Sequence, residues 1–151
     1  MIAEKYPNED FIEKDFKIPC INPERTMLEK IFLLHEEFQK PNGKIRTDRL
    51  SRHIYDLHQL YGAGFLTKIQ ESPDLYHKVV EHRSRFNTIN GIDYSLHAPS
   101  TVNPILPSSV RQAWHKDYEI MLKEMIYGDD RPSFDEIIQS LERIKSEITL
   151  S

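Results

Sequence analysis

Residues 22–38 read NPERTMLEKIFLLHEEF and carry the clearest helical signal of the chain. Asn22 is a preferred helix-capping residue, Pro23 is pre-organised for the first helical position, and Glu24 places negative charge near the positive helix end. Apolar residues then recur at the spacing of one helix face, at Met27, Ile31, Leu34 and Phe38. The segment therefore predicts an amphipathic helix that stops before the turn-forming residues 41–43.

A second helix is predicted from about Arg46 to Tyr61, where Gly62 and Gly64 would end it. Its apolar face is expected to contain Leu50, Ile54, Leu57 and Tyr61. Apolar residues at the same period predict further helices downstream, so the expected fold class is mainly α, a bundle of five to six helices.

The later helices have their own start signals. A third segment carries Phe65, Leu66 and Ile69, and a fourth begins at Ser72-Pro73 and is expected to bury Leu75, Val79 and Phe86. Ser108 or Ser109 would cap a fifth helix that continues to Gly128. Ser133 and Glu136 have the spacing of a capping box and open the last helix.

Two segments do not follow the helical pattern. Residues 15–21 alternate loosely and predict a short edge strand, which needs a partner because a single strand is not stable alone. Residues 87–107 contain three prolines and no sustained period, and Tyr94, Leu96 and Ile105 indicate that this loop is ordered by packing. The expected organisation is one domain over 1–151, with an extended lead-in (1–22), site-bearing helices (23–86), an irregular loop (87–107) and C-terminal helices (108–151).

Composition excludes several classes of protein. The chain has 151 residues, a net charge of −4 and one cysteine, Cys20. One cysteine excludes an internal disulfide and a cysteine-based zinc site, and the apolar runs are too short to cross a bilayer. The N-terminus lacks the apolar core of a secretory signal. We therefore expect a cytoplasmic protein with no membrane association.

The residues that could carry chemistry lie on the first two predicted helices. Arg49, Arg52, His53 and Asp56 follow the i, i+3, i+4, i+7 spacing of one stripe beside the apolar face, where side chains are half-buried. Two guanidiniums there could hold phosphate oxygens, and Asp56 could accept a proton or help to place a magnesium ion. Lys30 lies beside the core face of the first helix and could neutralise a transferring phosphate. The structural alternative is an ordinary Arg52–Asp56 helix pair, a packed His53 and an extended Lys30.

Positive charge is concentrated in one stretch of an acidic chain. Between residues 40 and 52 there are five cations and a single acid, Asp48; the cations are Lys40, Lys44, Arg46, Arg49 and Arg52. Such a stretch can meet a phosphate-bearing ligand such as RNA, and its structural alternative is a solvated helix face.

Two motifs carry a resemblance to a known family. The pattern PERT-x-x-EK-x-x-x-LH (residues 23–35) followed by SRH-x-YDL (residues 51–57) resembles the AbiEii/AbiGii toxin family of nucleotidyltransferase-like proteins. Residues 91–94, Trp114-x-x-Asp117-Tyr118 and residues 125–128 are similar to the C-terminal region of that family. The resemblance covers nearly the whole chain.

The resemblance implies an abortive-infection or toxin–antitoxin protein with a polymerase-β-like fold. Such an enzyme moves a nucleotide from a Mg²⁺-bound NTP to an acceptor, with tRNA ends as one acceptor class. It implies catalytic roles for Lys30 and Asp56 and a basic role for Arg52, although many relatives have Lys-Asp where this chain has Arg52-His53.

The front half of the family carries a Gly-Ser or Gly-Gly-Thr element and an Asp-x-Asp metal pair, and this sequence has neither. We therefore expect the chain to be the C-terminal helical half of such a toxin, inactive without the missing metal-binding half, which would pair with the strand at 15–21. The alternative is a non-catalytic helical module that binds a toxin, an antitoxin or RNA.

Overall fold

The computed structural model describes residues 22–41, 43–86, 92–125 and 131–149, and these ranges are mainly α-helical. The six α-helices are α1 (Pro23–Phe38), α2 (Ser51–Gly62), α3 (Phe65–Gln70), α4 (Pro73–Phe86), α5 (Arg111–Met125) and α6 (Phe134–Thr149). Short 3-10 helices occupy Tyr94–His97 and Ser108–Val110. The predicted helical fold class is confirmed. The strand expected at 15–21 and the helix end expected at Gly128 lie outside the described residues.

Local signals produce the ends of several helices as expected. The Asn22 side chain accepts a hydrogen bond of 2.9 Å from the Arg25 amide at the start of α1. At the start of α6 the Ser133 hydroxyl accepts from the Glu136 amide at 3.2 Å, while Glu136 accepts in return from Ser133. After α2, Gly64 has φ +87°, and its amide donates to the Tyr61 carbonyl. This left-handed glycine terminates α2 as the sequence indicates.

Helix α2 lies at the centre of the fold and packs against α1, α3, α5 and α6. Its buried residues Ile54, Leu57 and Leu60 are inaccessible to solvent, as is Trp114 of α5. The Trp114 ring meets Phe38 of α1 edge-to-face with centroids 5.4 Å apart. Trp114 is therefore a core residue, in agreement with its apolar spacing.

The start of α2 differs from the prediction. The helix begins at Ser51, five residues later than expected, and Arg49 precedes it with a left-handed φ of +62°. An α-helix cannot pass through that conformation, so Arg49 is not on the same helical stripe as Arg52. The Arg49 amide is bonded to Asp117 of α5, a contact that sequence periodicity cannot report.

Phe86 was expected in the core, and this expectation is wrong. Its side chain is 72% exposed and contacts the ring of His82. The buried face of α4 ends at Arg83, which pairs with acids of α1, so the last turn of α4 has no core beneath it.

The described part of the irregular loop is packed, although partly by other residues than expected. Leu96 is 39% exposed, whereas Val102 and Leu106 are buried. The Val102 carbonyl accepts a bond of 2.7 Å from the Lys145 ammonium of α6. Order in residues 92–107 thus comes from contacts with the helices.

None of the helices within the described ranges combines the length and the apolar content that a membrane span requires.

Candidate functional site

An ion pair joins α1 to α2 at the edge of their interface. Lys30 Nζ lies 3.1 Å from Asp56 Oδ2, and the two side chains are 16% and 24% exposed. Lys30 Nζ also lies 3.2 Å from His53 Nδ1. We call Lys30, His53 and Asp56 the interhelical cluster. The structure thus brings together three of the five predicted site residues, from positions up to 26 residues apart in the chain.

His53 is an acceptor in this cluster. Burial first, and then the positive charge of Lys30, lower the pKa of His53 to about 4. The imidazole is therefore neutral at physiological pH, and its Nδ1 accepts a hydrogen bond from the Lys30 ammonium. His53 orients Lys30 without adding charge to the site.

Two opposing effects act on the protonation of Asp56. Burial raises the pKa of its carboxyl, while the Lys30 ammonium acts in the opposite direction, and the net effect is a raised pKa. A carboxyl that is partly desolvated and faces a cation has the environment expected of a proton acceptor or a charge-positioning group. The same geometry also describes a structural ion pair, so function does not follow from it alone.

Arg52 does not form the helix pair with Asp56 that its spacing allows. Its side chain is exposed, and among the described residues the ion-pair partner of Asp56 is Lys30. The Arg52 guanidinium remains available to solvent next to the interhelical cluster.

Arg49 precedes α2 and is bonded to α5. Its amide donates to Asp117 Oδ1 at 2.9 Å, and the Ser51 amide and hydroxyl donate to Asp117 Oδ2 at 3.1 and 2.5 Å. Asp117 of α5 therefore caps α2. Leu50, which occupies the cap position itself, has no side-chain acceptor. Sequence analysis missed this role of Asp117, since no local pattern marks a cap supplied 66 residues away.

A cleft of about 250 Å³ lies beside this cap, between the start of α2 and α5. We call it the α2–α5 cleft. Its lining residues are Asp48, Arg49, Ser51, Arg52, Asp117, Ile120, Met121 and Glu124. Both predicted phosphate-binding arginines therefore border one cavity, although they do not share a helix face.

The basic stretch is not a continuous cationic surface. Glu37 of α1 is buried and accepts from the Arg46 amide at 2.7 Å and from the Arg46 guanidinium at 3.0 Å. The Lys40 ammonium also donates to Glu37, at 3.0 Å. Two of the five cations thus fasten the connection between α1 and α2, while Arg49 and Arg52 border the cleft.

A second polar cluster is buried where α1 meets α4 and the irregular loop. Glu36 accepts from the Arg83 guanidinium at 2.6 Å and from His97 Nε2 at 2.8 Å. Next to it, His35 Nδ1 accepts from the Asn103 amide at 2.9 Å. These bonds tie α4 and the irregular loop to α1. Because the bonded groups are buried, a structural role is enough to explain the cluster.

The interhelical cluster does not fit a magnesium ion. The described residues contain no group of three histidine, cysteine or acidic side chains placed to hold a metal. Asp56 stands opposite Lys30, and a cation at that position opposes a second cation.

Comparison with known proteins gives one match. The family model described as "Nucleotidyl transferase AbiEii toxin, Type IV TA system" matches residues 2–140. No curated protein and no solved structure matches the chain.

Proposed function

The chain belongs to the AbiEii family of nucleotidyl transferase toxins from type IV toxin–antitoxin systems, and from this premise we propose that it is the helical part of a nucleotide-transferring toxin. The reaction class is attack of an acceptor hydroxyl, such as that of a tRNA end, on the α-phosphate of an NTP, which breaks the α–β phosphoanhydride bond and releases pyrophosphate. The family also implies an antitoxin as a partner in the cell.

The observation that carries this proposal is the interhelical cluster. A lysine and an aspartate at 3.1 Å, both partly buried and both reachable from solvent, form the charged pair at the edge of the α1–α2 interface. Both residues stand in the motifs that give the family resemblance, at residues 23–35 and 51–57. The geometry of this pair and the membership of the family together support a role in the reaction.

The proposed roles follow from charge. Lys30, held by neutral His53, neutralises negative charge on the phosphoryl group under attack. Asp56 orients Lys30 and accepts a proton from the attacking hydroxyl of the acceptor. Arg49 and Arg52 hold phosphate oxygens by charge-assisted hydrogen bonds.

We place the divalent metal outside the interhelical cluster. Since Asp56 is paired with Lys30 and the sequence has no Asp-x-Asp pair, we infer that carboxylates from a separate nucleotidyltransferase half supply the metal site. The helical part then contributes the lysine, the aspartate and the arginines to a shared site.

The test is nucleotidyl transfer by the natural polypeptide that carries this sequence, with labelled NTP, tRNA and Mg²⁺. Asp56→Asn should lower the rate by at least about 100-fold, the scale of a lost general base. Glu29→Gln is the matched control, because Glu29 is the neighbour of Lys30 and forms an interhelical ion pair of 2.7 Å with Arg83. Equal loss in both variants, or full activity of Asp56→Asn, would contradict the proposed site.

A non-catalytic binding module predicts a different result. In that case Asp56→Asn leaves partner or RNA binding unchanged and no transfer is observed with any acceptor. The engagement of Lys40 and Arg46 by Glu37 reduces the cationic surface that this alternative requires.

A further inference from the structure

The first turn of α2 is held by a residue of another helix. The carboxylate of Asp117 in α5 accepts from the amides of Arg49 and Ser51 at 2.9 and 3.1 Å, and from the Ser51 hydroxyl at 2.5 Å. Leu50, at the cap position of α2, supplies no side-chain acceptor. Because amides at the start of a helix have no partner inside it, Asp117 fills the place that a local capping residue usually takes.

The same turn carries His53. The His53 amide donates to the Leu50 carbonyl at 3.0 Å, and Leu50 lies between the two residues whose amides donate to Asp117. The His53 ring in turn has its Nδ1 at 3.2 Å from Lys30 Nζ of α1. A continuous set of bonds therefore runs from Asp117 in α5, through the first turn of α2, to Lys30 in α1.

Asp56 depends less on this cap. It lies beyond the first turn of α2, next to Leu57, which is buried in the core, and it reaches Lys30 directly at 3.1 Å. Loosening of the first turn should therefore separate His53 from Lys30 while the Lys30–Asp56 ion pair remains. His53 is thus the member of the interhelical cluster whose position follows the cap.

We propose that Asp117 is a positioning residue for the interhelical cluster: by capping α2 from α5, it holds the His53 ring where Nδ1 accepts from the Lys30 ammonium. This inference rests on the proposed function, in which Lys30 neutralises charge on the phosphoryl group, and adds to it a residue that acts on Lys30 through His53.

The protonation of His53 reports where its ring lies. Burial and the positive charges of Lys30, Arg52 and Arg46 lower the pKa of His53 to about 4, and Asp56, the acid of the cluster, is paired with Lys30. A ring that moves away from Lys30 and into water should regain a pKa close to 6.5.

Position and charge make opposite predictions for Asp117→Asn. Loss of the cap bonds should raise the pKa of His53, because the ring is released from burial and from Lys30. Loss of a carboxylate by charge alone should lower that pKa or leave it unchanged, because a nearby negative charge favours the imidazolium. The sign of the change therefore separates a positioning role from an effect of charge.

The experiment is an NMR titration of the histidine rings of the full chain from pH 7 to pH 5, with the His53 signal identified by its absence from His53→Asn. At pH 5 about nine-tenths of the His53 rings should be neutral in wild type, whereas about half or more should be protonated in Asp117→Asn. Glu124→Gln is the matched control, because it removes the same charge from α5 and from the lining of the same cleft, and His53 should titrate in it as in wild type. If Asp117→Asn does not fold, Ser51→Ala removes the hydroxyl bond without a change of charge and should raise the pKa of His53 in the same direction.

An unchanged or lowered pKa of His53 in Asp117→Asn and Ser51→Ala would overturn the positioning role and leave Asp117 as a structural cap. An equal rise in Glu124→Gln would also overturn it, since that variant keeps the three bonds to Asp117.

Transfer assays test whether Asp117 acts through His53. Asp117→Asn should lower the rate of nucleotidyl transfer about tenfold in the otherwise wild-type protein, the scale of one lost hydrogen bond to a charged group. In a His53→Asn background the same change should cost less than about twofold, and an equal loss in both backgrounds would contradict the inference. Full transfer by Asp56→Asn would refute the proposed function, while a raised pKa of His53 in Asp117→Asn would still support the link from Asp117 to His53.

Discussion

Acidification should destabilise this protein well above the pH at which carboxylates titrate, because buried histidines must gain a proton. His35 is the clearest case. Its Nδ1 accepts the Asn103 amide at 2.9 Å, an arrangement that exists only in the neutral imidazole. Burial, followed by the influence of His97, lowers the pKa of His35 to about 4 from 6.5.

The sign follows from proton linkage. Between pH 6.5 and pH 4 the unfolded chain binds the His35 proton and the folded chain does not, so stability is lost as the pH falls through this window. From pH 7 to pH 5 the loss amounts to about 2 kcal/mol for one such histidine. His53 acts in the same direction with a pKa of about 4, while the raised pKa of Asp56 acts in the opposite direction.

The assay is urea denaturation from pH 7 to pH 5, with wild type compared with His35→Asn. Asparagine keeps an acceptor near the Asn103 amide but does not titrate, so the variant should lose about 2 kcal/mol less over this range, whatever its stability at pH 7. The exposed His82 provides the control variant, His82→Asn. Identical pH dependence of wild type and His35→Asn would refute the assignment of His35 as a buried neutral acceptor.

Three further variants test the packing. Glu36→Ala removes a carboxylate that is 2% exposed and bonded to Arg83. In urea titration this variant should lower the free energy of unfolding by about 3–5 kcal/mol. A loss under about 1 kcal/mol would contradict a buried pair whose members depend on each other. Leu57→Ala, in the solvent-inaccessible centre of α2, should cost about 2–5 kcal/mol, and a smaller loss would mean that the core collapses into the cavity. Phe86→Ser should change stability by no more than about 0.5 kcal/mol, since the ring is exposed; a large loss would show that the ring packs in solution.

Helices whose signals are local agree with the expectations from sequence. The start of α1 depends on the Asn22 cap, which lies three residues from its donor, and that of α6 depends on a capping box of four residues. Short-range patterns of this kind are visible in a single sequence because both partners belong to the same turn.

The candidate site could be predicted only in part, because its residues lie on two different helices. Lys30 and Asp56 each stand out as polar residues beside an apolar helix face, but nothing in either helix shows that they meet. The sequence spacing favours Arg52 as the partner of Asp56, whereas the packing of α1 on α2 places Lys30 there at 3.1 Å. A contact between helices outweighs the i, i+4 pairing because it is partly shielded from water.

By itself, the sequence determined a mainly helical chain, the starts of α1 and α6, the turn after α2 and the family motifs, since caps, glycines and apolar periods act over a few residues. Only the tertiary structure decided that α2 begins at Ser51, that Arg49 stands outside it and that two arginines share one cleft. The physical reason is that a single carboxylate, Asp117, bonds to backbone groups 66 and 68 residues away, a contact between helices that no local pattern records.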